Sequence, residues 1–121
     1  MAFKAFIVGI PNIPSIKEVN IRAEPNKSTT LLFKIPVGTG DLNIVDVKID
    51  SANESQAGKV FQWFKLVFPD GQQGWCRDDL LEVQGDGTQF GYGLVIARTL
   101  GFNLTRQQVQ APAAAIPIPV S

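Results

Sequence analysis

Histidine is absent from this 121-residue sequence, and cysteine occurs once, at Cys76. Without histidine there is no Ser-His-Asp or Cys-His nucleophile arrangement, and a single cysteine allows neither an intramolecular disulfide nor the usual zinc-ligand sets. Most hydrolase chemistry is thereby excluded, and the chain reads as a non-enzyme with no metal and no cofactor. Net charge is missing too. Eleven basic and eleven acidic side chains cancel, so no overall field draws the chain to nucleic acid or to an anionic membrane. Long apolar runs are also lacking: the opening stretch breaks at Gly9 and Pro11, short of the roughly 7 to 15 apolar residues of a secretory signal. No segment reaches the ~18 apolar residues of a membrane span. At face value the chain is soluble and cytoplasmic. An excised domain of a larger exported protein, belonging to the cell envelope or the exterior, would have the same features.

What is present is a series of short β-rich runs separated by turn residues: Val19 to Arg22, Leu31 to Ile35, Leu42 to Ile49, Val60 to Phe68, Gly74 to Arg77 and Leu81 to Val83. Strands this short with no helical period between them predict an all-β fold, a small barrel or sandwich. Residues 1–14, apolar but punctuated by Gly9, Pro11 and Pro14, suit an N-terminal arm or edge strand. The polar stretch from Lys48 to Lys59 is expected to be the most mobile loop. Beyond Val83, residues 85–110 are too apolar for a linker, and Gly91, Gly93 and Gly101 weaken any helix; a strand or hairpin packed on the rest is expected. Residues 111–121, rich in alanine and proline, read as an extended, disordered tail.

The two tryptophans, Trp63 and Trp75, flank the turn Pro69-Asp70-Gly71, which puts both indoles on one hairpin. Alternation along the first arm gives Val60, Gln62, Phe64, Leu66 and Phe68 one face, the expected core. The other face carries Phe61, Trp63, Lys65 and Val67, too apolar to stand open to water. Either the terminal segments cover it or it lines a recognition groove.

The segment from Val19 to Val83 resembles a bacterial SH3-like domain. The resemblance rests on Val19-Asn20-Ile21-Arg22 running into Ala23-Glu24-Pro25, on Leu31 to Val37 followed by Gly38-Thr39, and on Trp63-Phe64-Lys65-Leu66, Asp70-Gly71 and Gly74-Trp75, with Arg77-Asp78-Asp79-Leu80 as the short turn before the last strand. Glu24 stands where a glycine is common, and the Lys48 to Lys59 loop is longer than usual. The resemblance implies a small SH3-like β-barrel over residues 15–84, a non-catalytic module of the kind that binds cell-wall peptides, peptidoglycan stems or protein partners.

Candidate groove residues are Trp63, Trp75 and Phe61 for apolar contact, with Arg22, Glu24 and Asn26 for polar specificity. Arg22 and Arg77 have the chemistry to grip a carboxylate, as ordinary ion pairing also would. The competing reading is a structural or oligomerisation domain whose aromatics are covered by residues 1–14 and 90–106 or by a second copy. Cys76, on an apolar strand, reads as a small buried hydrophobe. The pairs Asp78 and Asp79, and Asp46 and Asp50, read as turn-formers and not as catalytic or metal-binding carboxylates.

Overall fold

A computed structural model describes residues 2–10 and 12–106. The described residues form ten strands: β1 (Lys4–Ile7), β2 (Glu18–Arg22), β3 (Leu31–Pro36), β4 (Leu42–Ile49), β5 (Ser55–Gln56), β6 (Lys59–Val60), β7 (Gln62–Val67), β8 (Gln73–Arg77), β9 (Leu81–Asp86) and β10 (Leu94–Leu100). Single 3-10 turns at Asp78–Leu80, Thr88–Phe90 and Gly101–Asn103 complete the described elements. Eight strands make one antiparallel sheet in the order β10-β9-β1-β4-β7-β8-β2-β3, and β5 and β6 form a separate small hairpin. The fold is all-β. The end strands β3 and β10 each pair on one side only, so the hydrogen-bonded sheet is open among the described residues.

Two segments differ from the reading of the sequence, and a third, the C-terminal extension, carries the strand expected of it. Lys4–Ile7 is an interior strand, not an edge one, with β4 on one side and β9 on the other. Its prolines come later in the chain, at 11 and 14, so every donor of the strand is free to pair. The stretch from Lys48 to Lys59 carries the end of β4 and the β5–β6 hairpin, which turns through the positive-φ residues Ala57 and Gly58. Within residues 85–106, β10 pairs with β9 across a bulge between Val95 and Thr99. The alanine- and proline-rich stretch 111–121 lies outside the described residues.

Alternation and two local exceptions set the core. Phe64, Leu66 and Cys76 are wholly buried on the inner face of β7 and β8, packed with Ile21, Ile7, Leu81 and Val83. Full burial of a side chain such as Phe64 or Leu66 stabilises the fold by roughly 1.5–3 kcal/mol. On β4 the inward residues are Leu42 and Ile44 and then Val47, because a bulge at Val45 shifts the register between Ile44 and Asp46. Without it, period-two alternation would turn Val47 outward. Gly74 opposes Leu66, and a Cβ there would lie 2.3 Å from Ile21 Cγ2; only a bare backbone lets β2 close over the hairpin.

Candidate functional site

The outer face of the hairpin is covered, by polar atoms as much as by apolar ones. Phe61, Trp63 and Trp75 are buried to 5%, 3% and 4% exposure yet lie outside the main core cluster. Trp63 pairs with Lys48 on β4 and Arg77 on β8, and its indole N–H donates to Asp50 Oδ2 at 2.8 Å. Asp50 in turn accepts at Oδ1 from the N–H groups of Ala52 at 2.8 Å and Glu54 at 3.3 Å. One carboxylate therefore ties the indole to the turn after β4. Trp75 sits opposite Lys65 and Arg22, with the Lys48 and Lys65 ammoniums 5.8 and 6.0 Å from its ring centroid. Lysine stems cover apolar surface while their heads stay wet.

The loop after β2 folds back toward the turn after β4. Ser51 N–H donates to Pro25 O at 3.0 Å, and Asn26 Nδ2 donates to Ser51 Oγ at 3.1 Å. Within the loop Ser28 N–H donates to Asn26 Oδ1 at 2.7 Å and Arg22 Nη1 to Thr29 O at 3.1 Å. Between this loop, β2 and the Asp78–Leu80 turn lies a cleft of about 290 Å³, lined by Ile16, Glu18, Val19, Asn20, Arg22, Lys27, Trp63, Arg77 and Leu80. Three of these carry positive charge and one negative. Arg77 is spoken for by a two-pronged pair with Asp79, at 2.7 and 2.9 Å, and Lys27 faces Glu54 at 3.4 Å. Arg22 has no carboxylate partner among the described residues. The cleft thus offers a cationic wall over the buried indole of Trp63, a setting whose chemistry suits a carboxylate.

A second assembly covers Phe61. The Arg77 guanidinium lies 4.2 Å from its ring centroid and the Phe102 ring 5.6 Å away. The Gly101–Asn103 turn is held down by Lys59, whose ammonium donates to the carbonyls of Phe102 and Leu104, and Arg106 Nε donates to Phe90 O at 2.7 Å. Beneath this turn Asp78 is fully buried, and a Cβ on Gly101 would lie 3.3 Å from Asp78 Cβ. Asp78 Oδ2 accepts from Gln62 N–H at 3.1 Å, while Oδ1 has no partner. Burial raises its carboxyl to about 7, aided by neighbouring Asp79 and opposed by the Gln62 hydrogen bond, Lys59 and Arg77.

Of the expected groove residues, the structure brings Trp63 and Arg22 together in the cleft. Glu24 instead lines a shallower depression with Pro25, Lys48 and Ile49. Asn26 spends its amide on the loop tether, and Trp75 and Phe61 are sealed under their own neighbours. Asn20, Lys27, Ile16 and Leu80 were not singled out for the groove from sequence. Asn20 was within reach, since alternation puts it on the same side of β2 as Arg22. Ile16 and Leu80 arrive from distant parts of the chain. Cys76 is wholly buried, and burial pushes its thiol up, which makes it inert as a nucleophile. Comparison with protein-family models, curated proteins and solved structures found no match.

Proposed function

We propose that this chain is a non-catalytic binding module of the bacterial SH3-like kind, its sheet bent into a small barrel, that recognises a short peptide through a carboxylate. Cell-wall stem peptides and acidic segments of protein partners both present that group, and an envelope-associated protein would meet both. The observation that carries the reading is the cleft itself. It gathers Arg22, Lys27, Arg77 and Asn20 around the edge of Trp63 in walls already closed by hydrogen bonds, so little ordering entropy opposes binding. The motif order from Val19 to Val83 supports the same assignment.

Titration of soluble peptidoglycan stem peptides and of acidic peptides, followed by calorimetry, tests the reading. Arg22→Ala is expected to weaken binding about tenfold or more, the scale of a lost charge-assisted contact. An Arg22→Ala protein that binds as tightly as the parent removes the cleft from the account. The structural alternative, in which the outer aromatics serve only packing, is favoured by the low exposure of Trp63, Trp75 and Phe61; it predicts no binding of any peptide in the same titration.

A further inference from the structure

Ile16 borders two depressions. On one side is the cationic cleft; on the other is an apolar groove of about 590 Å³ that includes Val8, Ile10, Ile13 and Val37, with Lys17 at its rim. Ile13 and Val37 expose 44% and 36% of their surface there. The groove is built, not accidental. Ile13 N–H donates to Ile10 O at 3.1 Å, Ile16 N–H to Ile13 O at 3.2 Å and Val37 N–H to Lys17 O at 2.9 Å. Val8 and Gly9 N–H both donate to Leu80 O at 3.0 Å, and Leu80 also lines the cationic cleft. Both depressions are therefore braced on one residue. Gly9, at φ 71°, passes close under Val37 and Ile16: a Cβ on it would lie 3.1 and 3.5 Å from their Cγ2 atoms.

Charge is distributed to match. Lys17 and Arg22, one at each depression, have no carboxylate partner among the described residues, and Glu18 is the one acidic residue lining either depression. In a chain with zero formal net charge this is a local excess, which selects an acidic partner. The combination of a cationic cleft and an aliphatic groove on either side of Ile16 selects further, for a ligand carrying both kinds of group.

We propose that the ligand is an extended segment of another protein in which an acidic residue is flanked by aliphatic side chains. The carboxylate sits by Arg22 and Lys27, and the aliphatic groups lie along Ile10, Ile13, Ile16 and Val37. This inference rests on the peptide-binding reading above and narrows it, since an acidic peptide without aliphatic side chains fills the first depression and leaves the second empty.

Fluorescence anisotropy with three labelled peptides tests it: an aspartate flanked by glycines, an aspartate flanked by isoleucines, and an asparagine flanked by isoleucines. The second is expected to bind about tenfold tighter than the first, as burial of about one aliphatic side chain gives, and about tenfold tighter than the third, as a charge-assisted contact gives. That gain is expected to vanish in Ile13→Ser and in Val37→Ser, whose thermal melts report that the fold is kept. Equal affinity for the first two peptides, or a gain that survives both substitutions, overturns this inference and leaves peptide binding at the cleft standing. Equal affinity for the last two shows that charge is not read and also overturns it. Binding of none of the three overturns the inference together with the reading beneath it.

Discussion

Asp50 and Asp78 expose 1% and 0% of their surface, yet three N–H groups converge on the first and one on the second. Asp50 belongs to the outer layer, where it closes a turn and holds the indole of Trp63. Asp78 lies at the end of the inner layer under the Gly101–Asn103 turn, with one oxygen unpaired. The difference teaches that the two faces of the central hairpin are stabilised by different means. The inner face depends on apolar volume, and its one buried carboxylate is a weak point. The outer face depends on a polar clasp, and its buried carboxylate is a keystone. Arg77, whose guanidinium covers Phe61, also lines the cleft, so one residue serves both the packing of the outer face and the wall of the cleft.

The comparison can be broken from the inner side first. Phe64→Ala, which empties a fully buried position, is expected to cost about 3–5 kcal/mol, measured by urea unfolding. A loss near 1 kcal/mol would mean that the inner layer is not the main apolar store.

Asp78 gives the next largest effect, and its sign follows from the raised carboxyl. The folded protein keeps a proton that the unfolded chain releases, so stability from this group is fully present below the ordinary carboxylate value of 3.8. It falls as pH rises toward about 7 and is flat above that. The ceiling is about 4 kcal/mol, at about 1.4 kcal/mol for each tenfold change. Asp78→Asn is therefore expected to match the parent near pH 4 and to exceed it in stability at pH 8. Parallel curves for the two proteins across that range would remove the weak point from the account.

On the outer face, Trp63→Phe keeps a ring and deletes the donor to Asp50. Leaving that buried oxygen unpaired is expected to cost about 1–3 kcal/mol, and Asp50→Ala in the same background should then cost less than it does alone. Full additivity of the two would show that the clasp is not a unit. The smallest effect sharpens the contrast: Lys48→Ala, whose ammonium stands 5.8 Å from the Trp75 centroid on an exposed side chain, is expected to cost only about 0.5–1 kcal/mol.

Much of the strand order along the chain was readable in the sequence because the runs are short, β-branched and aromatic, and are broken by proline, glycine and asparagine. The parity switch at Val45 was not, since one extra residue in a strand leaves no mark in composition. The interior position of Lys4–Ile7 was hidden for a related reason: which strands become neighbours depends on pairing across most of the chain, here Lys4 with Gln84 and with Asn43. In the candidate site, alternation along the hairpin leads to Trp63, and the carboxylate-gripping chemistry of its guanidinium marks Arg22. Asp50 is 13 residues from Trp63, and neither spacing nor motif links them. The sealing of Trp75 and Phe61 depended likewise on Lys65, Lys48, Arg77 and Phe102, whose contacts exist only after folding.

The most direct test of the central claim is a backbone and indole N–H NMR titration with the isoleucine-flanked aspartate peptide. The account predicts that the largest shifts fall on Asn20, Arg22, Lys27, Arg77 and the Trp63 indole, with a second group at Ile13 and Val37, while the Trp75 indole and β10 stay still. Shifts confined to β10, or none at a peptide excess that saturates binding, would contradict it.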